Sequence, residues 1–199
     1  MTLYDIKPRF QALLRPLVKR MFAMGITANQ VTLAAAIGSV ALGATLVSSQ
    51  ATLLFLAIPI WMFLRMALNA IDGMLAREFG QKSKLGAYLN EVCDVVSDAA
   101  LYIPFAFIAP FNTYLVFLVI ALSILSEFVG VLGLTVGASR RYDGPLGKSD
   151  RAFVFGALGL WIGVADTLPA WLSWLMPVLA GLLAVTIINR AKRALNESN

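Results

Sequence analysis

The chain has 199 residues, of which 59% are hydrophobic and 14% are charged, and its mean hydropathy of +0.79 exceeds what a water-soluble domain of this length requires. It contains no histidine and a single cysteine, Cys93, which excludes a His/Cys zinc site, a Cys-His or Ser-His-Asp nucleophilic centre and an intrachain disulfide. The net charge of +5 and the pI of about 9.6 favour anionic lipid over nucleic acid as the partner of so apolar a chain.

Residues 1–25 are predicted to form an amphipathic juxtamembrane segment. Apolar residues recur there at spacings of three and four, and the basic residues fall largely off this stripe, so we expect the segment to lie in the cytoplasmic headgroup layer. Pro8 can begin a helix, whereas Pro16 is expected to kink it. The alternative is a basic flank that only orients the first span. The stripe consists of Leu3, Ile6, Phe10, Leu13, Leu14, Leu17, Val18, Met21 and Phe22.

Six apolar stretches follow, and together they predict an all-α integral membrane protein with six transmembrane helices. A spanning helix needs ~20 residues, because it rises ~1.5 Å per residue through ~30 Å of hydrocarbon. The third stretch is the least apolar, since it carries several acidic and amide side chains, so only its bundle-facing side can be polar. The stretches are 31–47, 53–75, 85–108, 114–138, 153–164 with its flanks, and 171–188.

The distribution of lysine and arginine predicts the topology. Basic residues precede the first stretch, lie between the second and third and between the fourth and fifth, and follow the sixth. The connections 48–52, 109–113 and 165–170 contain none. Since cytoplasmic loops hold the excess of basic residues, both termini are predicted to be cytoplasmic. Of the 16 basic residues, only Arg65 lies inside a predicted span.

Two oxygen-rich stripes are predicted to face each other near the cytoplasmic surface. One lies on the second span and the other on the third, where side chains three or four residues apart share a helical face. Carboxylate and amide oxygens suit a hard cation such as Mg²⁺ or Mn²⁺, and the alternative is a polar network that only holds two helices together. The first stripe is Asn69 and Asp72, the second is Asn90, Asp94 and Asp98, and the small residues beside them are Gly73, Ala76 and Gly86.

The order of these residues resembles the signature of the CDP-alcohol phosphotransferase family, also called class I CDP-alcohol phosphatidyltransferases. The family pattern is D-x-x-D-G-x-x-A-R, about eight residues, then G-x-x-x-D-x-x-x-D. This sequence has that spacing throughout, in Asn69, Asp72, Gly73, Ala76, Arg77, Gly86, Asn90 and Asp94. Residues 26–32 also resemble the family's lead into its first span. The resemblance implies a six-helix domain over residues 26–199 and points to a bacterial inner-membrane subgroup.

The resemblance implies an activity and a set of site residues. The expected reaction displaces CMP from a CDP-alcohol, with CDP-diacylglycerol as the expected donor, by the hydroxyl of a small phosphorylated alcohol such as glycerol 3-phosphate. Asp94 would accept the proton. The nucleotide would be bound by Asp72, Gly73, Ala76, Arg77 and Gly86, although Arg77 also fits a purely topological role. The ligands of Mg²⁺ or Mn²⁺ would be Asn69, Asp72, Asn90, Asp94 and Asp98.

The pattern departs from the family's at two positions, because Asn69 and Asn90 stand where the first and third aspartates normally do. An asparagine can ligate a cation through its carbonyl oxygen but adds no charge, so we expect one tightly bound cation at most. Asp98 either supplies a missing carboxylate or pairs with Arg65.

Basic residues late in the chain are predicted to bind the acceptor's phosphate. Those that adjoin apolar stretches, Arg151 and Arg190, are the strongest candidates, because a cation there is costly without an anionic partner. Cytoplasmic loops are basic in any case, which is the alternative for Arg140 and Lys148. Glu127 interrupts the fourth stretch and is predicted to pair with Arg65. The full set of acceptor candidates is Arg140, Arg141, Lys148, Arg151 and Arg190.

The leading hypothesis is therefore a phospholipid-synthesis transferase of the bacterial inner membrane, with its active site facing the cytoplasm. By resemblance, it is expected to form a homodimer. A catalytically silent relative that binds CDP-lipid or acts as a scaffold is the alternative, motivated by the two asparagines. A cation-coupled transporter is less favoured, because the charges lie away from the membrane midplane and no internal repeat is found.

Overall fold

In the computed structural model the described chain is all-helical, which confirms the all-α part of the predicted fold class. No β-strand occurs in residues 3–49, 51–165 and 167–198, the residues that the structure describes. The α-helices are α1 (Leu3–Ala23), α2 (Ala28–Ser49), α3 (Ala57–Glu78), α4 (Lys84–Tyr102), α5 (Thr113–Leu132), α6 (Lys148–Val164) and α7 (Leu175–Ser198). Short 3-10 helices occupy Thr52–Leu56, Ile103–Phe107, Gly133–Val136 and Ala170–Trp174.

Four helical stretches of the described chain are long and apolar enough to cross a bilayer, and they are Ala28–Ser49, Thr52–Glu78, Thr113–Val136 and Ala170–Ser198. Of the two remaining predicted spans, α4 carries several charged side chains and α6 has only 17 residues. Exposed apolar side chains along α5, among them Phe117, Leu118 and Phe128, suit a helix that faces lipid. The protein is thus a multi-pass membrane protein, and its count of six spans stays a prediction.

The chain divides into two compact units, with the divisions falling inside α2, α3 and α4. The first unit contains the chain up to Ala41 and Ile60–Ser97, and the second contains Leu42–Pro59 and the chain from Asp98 onward.

The first unit is built around α1, which packs on α2 and α3. Val18 is fully buried in a core with residues of both partner helices, and Leu14 and Met21 pack against that core. Leu13 and Leu17, from the same predicted stripe, remain exposed at 75% and 47%. The apolar stripe is therefore wider than the core requires, as expected of a helix that also lies against lipid. The core residues are Val18, Ala28, Val31, Ile71, Met74 and Leu75.

Helix α1 continues through Pro16 to Ala23. The side chains of Leu3 and Ile6, which were assigned to the stripe, lie outside those that the structure describes.

The second unit is built around α5, which packs along α7, and α6, which packs on the 3-10 helix Thr52–Leu56. Aromatic rings fill its centre: Tyr102 and Phe155 are stacked with centroids 3.8 Å apart, and Phe105 meets Phe155 edge-on at 5.0 Å. The side chain of Asn112 begins α5 by accepting hydrogen bonds from the amides of Tyr114 and Leu115.

Candidate active site

A cleft of about 710 Å³ lies in the first unit, between the first turns of α2, the last turns of α3 and the start of α4. That volume falls within the range of small-molecule sites. Its lining residues are Ala28, Asn29, Thr32, Asp72, Gly73, Ala76, Arg77, Gln81, Lys82, Ser83, Lys84, Gly86, Ala87, Asn90 and Glu91.

Hydrogen bonds at the helix ends hold the walls of the cleft in place. Thr27 and Gln30 form a capping box that begins α2, with the Thr27 hydroxyl accepting from the Gln30 amide and the Gln30 side chain accepting from the Thr27 amide. The Ala28 amide donates to the side-chain oxygen of Gln81 over 2.7 Å. Ser83 accepts a hydrogen bond from the Gly86 amide and so begins α4. The starts of α2 and α4 and the connection that follows α3 are thereby fixed around one space.

Two glycines allow close approach at the cleft wall. A Cβ atom on Gly73 would lie 2.7 Å from Nη2 of Arg77, and one on Gly86 would lie 2.8 Å from Oδ1 of Asn29. Real Cβ atoms essentially never come so close, so any larger residue at either position would displace its neighbour. Both close atoms are the ends of side chains, so a Cβ at either position would shift the Arg77 or the Asn29 side chain at the cleft wall.

The carboxylates of the first unit have different partners. Asp72 is 6% exposed and lines the cleft, and its Oδ2 accepts a 2.8 Å hydrogen bond from the hydroxyl of Thr32. Oδ1 of Asp94 lies 3.4 Å from the amide nitrogen of Asn69 and 3.5 Å from Nη2 of Arg65. The two carboxylates are thus held by a hydroxyl in one case and by nitrogen donors in the other.

The donor set is of the chemical kind that binds hard divalent cations. No group of three His, Cys, Asp or Glu side chains suited to a metal occurs within the described residues. What the motif offers is the carboxylates of Asp72 and Asp94 and the amide oxygens of Asn69 and Asn90. All of these are oxygen donors of the kind that Mg²⁺ and Mn²⁺ prefer, although they carry only two negative charges.

Every residue proposed from the sequence for nucleotide binding lines this cleft: Asp72, Gly73, Ala76, Arg77 and Gly86. Among the candidate metal ligands, Asn90 also lines the cleft. Asn69 and Asp94 are not among the lining residues, and their side chains contact each other. Asp98 belongs to the second unit, where its Oδ2 lies 3.5 Å from Nη2 of Arg151.

Polar lining residues that were not predicted as site residues include Asn29, Thr32, Gln81 and Ser83. Asn29 and Thr32 lie in the segment 26–32, whose resemblance to the family's lead into the first span was the available signal. Nothing in helical spacing could indicate Gln81 and Ser83, because they lie in the connection between two helices.

The second unit holds an arginine cluster, which we define as Arg140, Arg151 and Arg190 around the carboxylate of Glu127. The distances from their guanidinium nitrogens to that carboxylate are 3.2 Å for Arg140, 2.8 Å for Arg151 and 3.3 Å for Arg190. The predicted pairing of Glu127 with Arg65 is therefore wrong. Spacing within helices could not reveal partners that come from a loop and two other helices.

Arg151 and Arg190 are each only 1% exposed and make further bonds inside the unit. Arg190 donates to the backbone oxygens of Ser126 and Asp143, at 2.5 and 3.3 Å. Arg151 lies 3.4 Å from both the Ser126 hydroxyl and the Leu146 carbonyl. Their guanidinium groups therefore organise the unit's interior, whereas the Arg140 side chain keeps 19% exposure.

Loop residues between α5 and α6 are joined to the end of α7. Arg141 pairs with Asp143 at 2.8 Å and with Glu197, and Arg193 lies 3.1 Å from Asp143. Burial alone would raise the pKa of Asp143, but the hydrogen bond from Arg141 and the charges of Arg141 and Arg193 outweigh it and lower that pKa below its ordinary value. Lys148 stands at the first residue of α6 and is half-buried.

Several known proteins are similar to this chain. An inner membrane protein of Escherichia coli, YnbA, is 48% identical over 198 residues, covering 98% of this chain and 97% of its own. A phosphatidylinositol phosphate synthase of Mycobacterium marinum is 29% identical over 185 residues, covering 90% of this chain and 76% of its own.

A solved structure shares the fold. The phosphatidylinositol phosphate synthase of Mycobacterium tuberculosis matches with a TM-score of 0.75 at 22% identity, over 90% of this chain, both in its complex with manganese and citrate and with CDP-DAG bound. The match covers 88% of the chain in the manganese and citrate complex and 92% of the chain with CDP-DAG bound.

The family model described as CDP-alcohol phosphatidyltransferase matches residues 25–187. That match spans the cleft, its glycines, and Glu127, Arg140 and Arg151 of the arginine cluster, and it ends before Arg190. The chain therefore belongs to the CDP-alcohol phosphatidyltransferase family and is a phosphatidyltransferase.

Proposed function

We propose that the protein transfers a phosphatidyl group from CDP-diacylglycerol to the hydroxyl of a small, phosphorylated alcohol, such as glycerol 3-phosphate, and releases CMP. The observation that carries this proposal is the cleft of the first unit, which is lined by the five motif residues assigned to the nucleotide. The CDP-DAG bound to the mycobacterial synthase of the same fold supports the choice of donor.

In the proposed reaction, the acceptor oxygen forms a bond to the phosphorus that carries the diacylglycerol. The bond from that phosphorus to the bridging oxygen of CMP breaks, and CMP leaves with the electron pair. Asp94 accepts the proton of the attacking hydroxyl. Arg77 lies at the cleft wall and contacts the diphosphate, and Gly73 and Ala76 let the nucleotide approach the helix closely. Thr32 holds the carboxylate of Asp72 through its 2.8 Å hydrogen bond.

Asp72, Asn69 and Asn90, together with Asp94, are the residues that would hold a divalent cation, Mg²⁺ or Mn²⁺. When bound, such a cation neutralises negative charge on the diphosphate. The manganese in the mycobacterial structure supports this assignment. Asp98 stays a proposed ligand from the sequence, and its Oδ2 lies 3.5 Å from Nη2 of Arg151.

On the acceptor side, we propose that Arg140, Arg141 and Lys148 contact the phosphate of the acceptor, because these three cationic residues are partly exposed. Arg151 and Arg190 complete the site by holding Glu127, and with it the guanidinium of Arg140. Their direct contact with the acceptor stays a prediction.

In the membrane, the proposed arrangement has six spans over residues 26–199, with both termini and the active site on the cytoplasmic side. Residues 1–25 are proposed to lie in the headgroup layer. The placement of basic residues supports this topology, and the similarity to an E. coli inner membrane protein supports the bacterial inner membrane as the location. We further propose a homodimer, with membrane lipids and no nucleic acid as partners.

A catalytically silent relative that binds CDP-lipid is the second candidate function. It is favoured by the amides at positions 69 and 90, which remove two of the negative charges of the family pattern. These substitutions define the subgroup to which we assign the chain. A cation-coupled transporter is the third and weakest candidate.

The test is CMP release by the purified protein in detergent, from CDP-diacylglycerol with Mg²⁺ or Mn²⁺, across a panel of acceptor alcohols. We expect release with one phosphorylated acceptor and none with Asp94→Asn. Release that appears only in the double variant Asn69→Asp, Asn90→Asp would favour the silent relative. No release and no binding of CDP-lipid by either protein would overturn the proposal.

A further inference from the structure

The loop between α5 and α6 is bound along one face of α7. Residues 139–146 of this loop contact α7 at positions that are three or four residues apart, and such positions share one side of a helix. The start of the loop meets the last turn of α7, and the end of the loop meets its middle. The loop therefore runs along α7 in the direction opposite to the helix. The α7 residues that it contacts are Thr186, Arg190, Arg193 and Glu197.

Both carboxylate oxygens of Glu197 accept hydrogen bonds from this loop. Oε1 accepts from the backbone amide of Ser139 over 3.0 Å, and Oε2 accepts from the Ser139 hydroxyl over 3.0 Å and from Nη1 of Arg141. Arg141 is held from its other side by Asp143, whose Oδ2 lies 2.8 Å from Nη2. Glu197 thus fixes the residue before Arg140 and the residue after it.

Arg140 is the most accessible member of the arginine cluster. Its side chain is 19% exposed, whereas Arg151 and Arg190 are each 1% exposed. Its guanidinium lies 3.2 Å from Oε2 of Glu127 and 4.2 Å from the centre of the Tyr142 ring. These contacts orient the tip of the side chain, and the bonds of Glu197 to the two neighbouring residues fix the backbone from which it extends. An anion that approaches the cluster from solvent would therefore meet a cation that is held at both ends.

We infer that Glu197 is a positioning residue for the acceptor: by holding the residues on both sides of Arg140, it keeps that guanidinium in place for the acceptor's phosphate. The inference rests on the proposed function for the contact between Arg140 and that phosphate. Glu197 acts through the loop and needs no contact of its own with the acceptor.

The experiment compares Glu197→Ala with the parent protein in detergent by calorimetric titration with inorganic phosphate, which shares its chemistry with any phosphorylated acceptor. It also measures the kinetics of CMP release from CDP-diacylglycerol with glycerol 3-phosphate. Glu78→Ala is the matched control, because Glu78 is likewise a glutamate in the last turn of a helix and pairs with an arginine, Arg15, at 3.0 Å. The control lies in the first unit and does not line the cleft.

In Glu197→Ala, we expect Kd for phosphate and KM for glycerol 3-phosphate to rise about fivefold, while KM for CDP-diacylglycerol stays within about twofold. The melting temperature should stay close to that of Glu78→Ala, because both glutamates form exposed pairs. Arg140→Ala should raise the same two constants by a similar factor. Adding Glu197→Ala to Arg140→Ala should then change them little, because both substitutions remove one contact, whereas a purely structural role would make the two effects independent.

Unchanged constants for phosphate and glycerol 3-phosphate in Glu197→Ala would overturn the inference, and so would independent effects of the two substitutions or a parent that binds no phosphate. An equal rise of KM for donor and acceptor would overturn it as well, since the loop would then serve the whole protein. The titration with phosphate needs no turnover. A parent that binds phosphate with this dependence on Glu197 but neither binds nor turns over CDP-lipid would therefore support the inference and overturn the proposed function.

Discussion

Replacing Glu127 by glutamine tests the arginine cluster. Its carboxylate lies 2.8 to 3.3 Å from three guanidinium groups and is 7% exposed as a residue. The amide keeps the shape but removes the charge, which leaves Arg151 and Arg190, each 1% exposed, without that partner. Breaking a buried ion pair from one side costs about 3–5 kcal/mol of unfolding free energy. At about 2–4 °C per kcal/mol for a chain of this size, the melting temperature should fall by about 6–20 °C.

The assay is thermal unfolding of the purified protein in detergent, followed by tryptophan fluorescence. Glu78→Gln is the matched control, because it removes the same charge from the exposed pair with Arg15, and exposed pairs contribute little to stability. We expect Glu78→Gln to melt close to the parent protein. Equal melting temperatures for the two variants would refute the claim that Glu127 holds the second unit together through its arginines.

Three further predictions concern the cleft and the loop before α6. Thr32→Val removes the hydrogen bond to Asp72, and since such a bond to a charged group contributes about 1.5–3 kcal/mol, Mn²⁺ affinity should fall by about tenfold or more, whereas Thr32→Ser should retain it. Gly73→Ala should raise KM for CDP-diacylglycerol in the CMP-release assay, because its Cβ would lie 2.7 Å from Nη2 of Arg77. The lowered pKa of Asp143 predicts that its ion pairs stabilise the fold at neutral pH and that this contribution is lost as the pH falls below its ordinary value of 3.8. Melting temperatures measured down to about pH 3 should therefore drop less in Asp143→Asn than in the parent.

The helical fold was predictable, because apolar stretches of about 20 residues are typical of membrane-spanning helices. Where a predicted span extends beyond the observed α-helix, a local feature of the sequence ends the helix. The third stretch was expected to run to residue 108, but α4 ends at Tyr102 and a 3-10 helix containing Pro104 follows, since proline lacks the amide hydrogen that an α-helix needs. The fourth was expected to reach residue 138, but α5 ends at Leu132, before Gly133. A Cβ at Gly133 would lie 2.8 Å from the carbonyl of Ser139, so the chain folds back closely there.

The meeting of the motif residues in one cleft was predictable, because they lie on two neighbouring helices at regular spacing. Thr32 could not be derived in this way, since it reaches Asp72 across 40 residues of sequence. The same holds for Glu127, whose partners come from other elements and depend on the tertiary fold. Helical spacing predicts which side chains share a helical face. It does not predict which side chains from other parts of the sequence contact that face.

Under the proposed function, the protein catalyses phosphatidyl transfer in the cleft of the first unit. The most direct measurement follows CMP and lipid product together by mass spectrometry, with purified protein, CDP-diacylglycerol, Mn²⁺ and glycerol 3-phosphate or another phosphorylated alcohol. We expect equal amounts of CMP and of a lipid whose mass is that of the phosphatidyl group joined to the acceptor, and neither product from Asp94→Asn. CMP formed without that lipid, or equal yields from parent and variant, would contradict it.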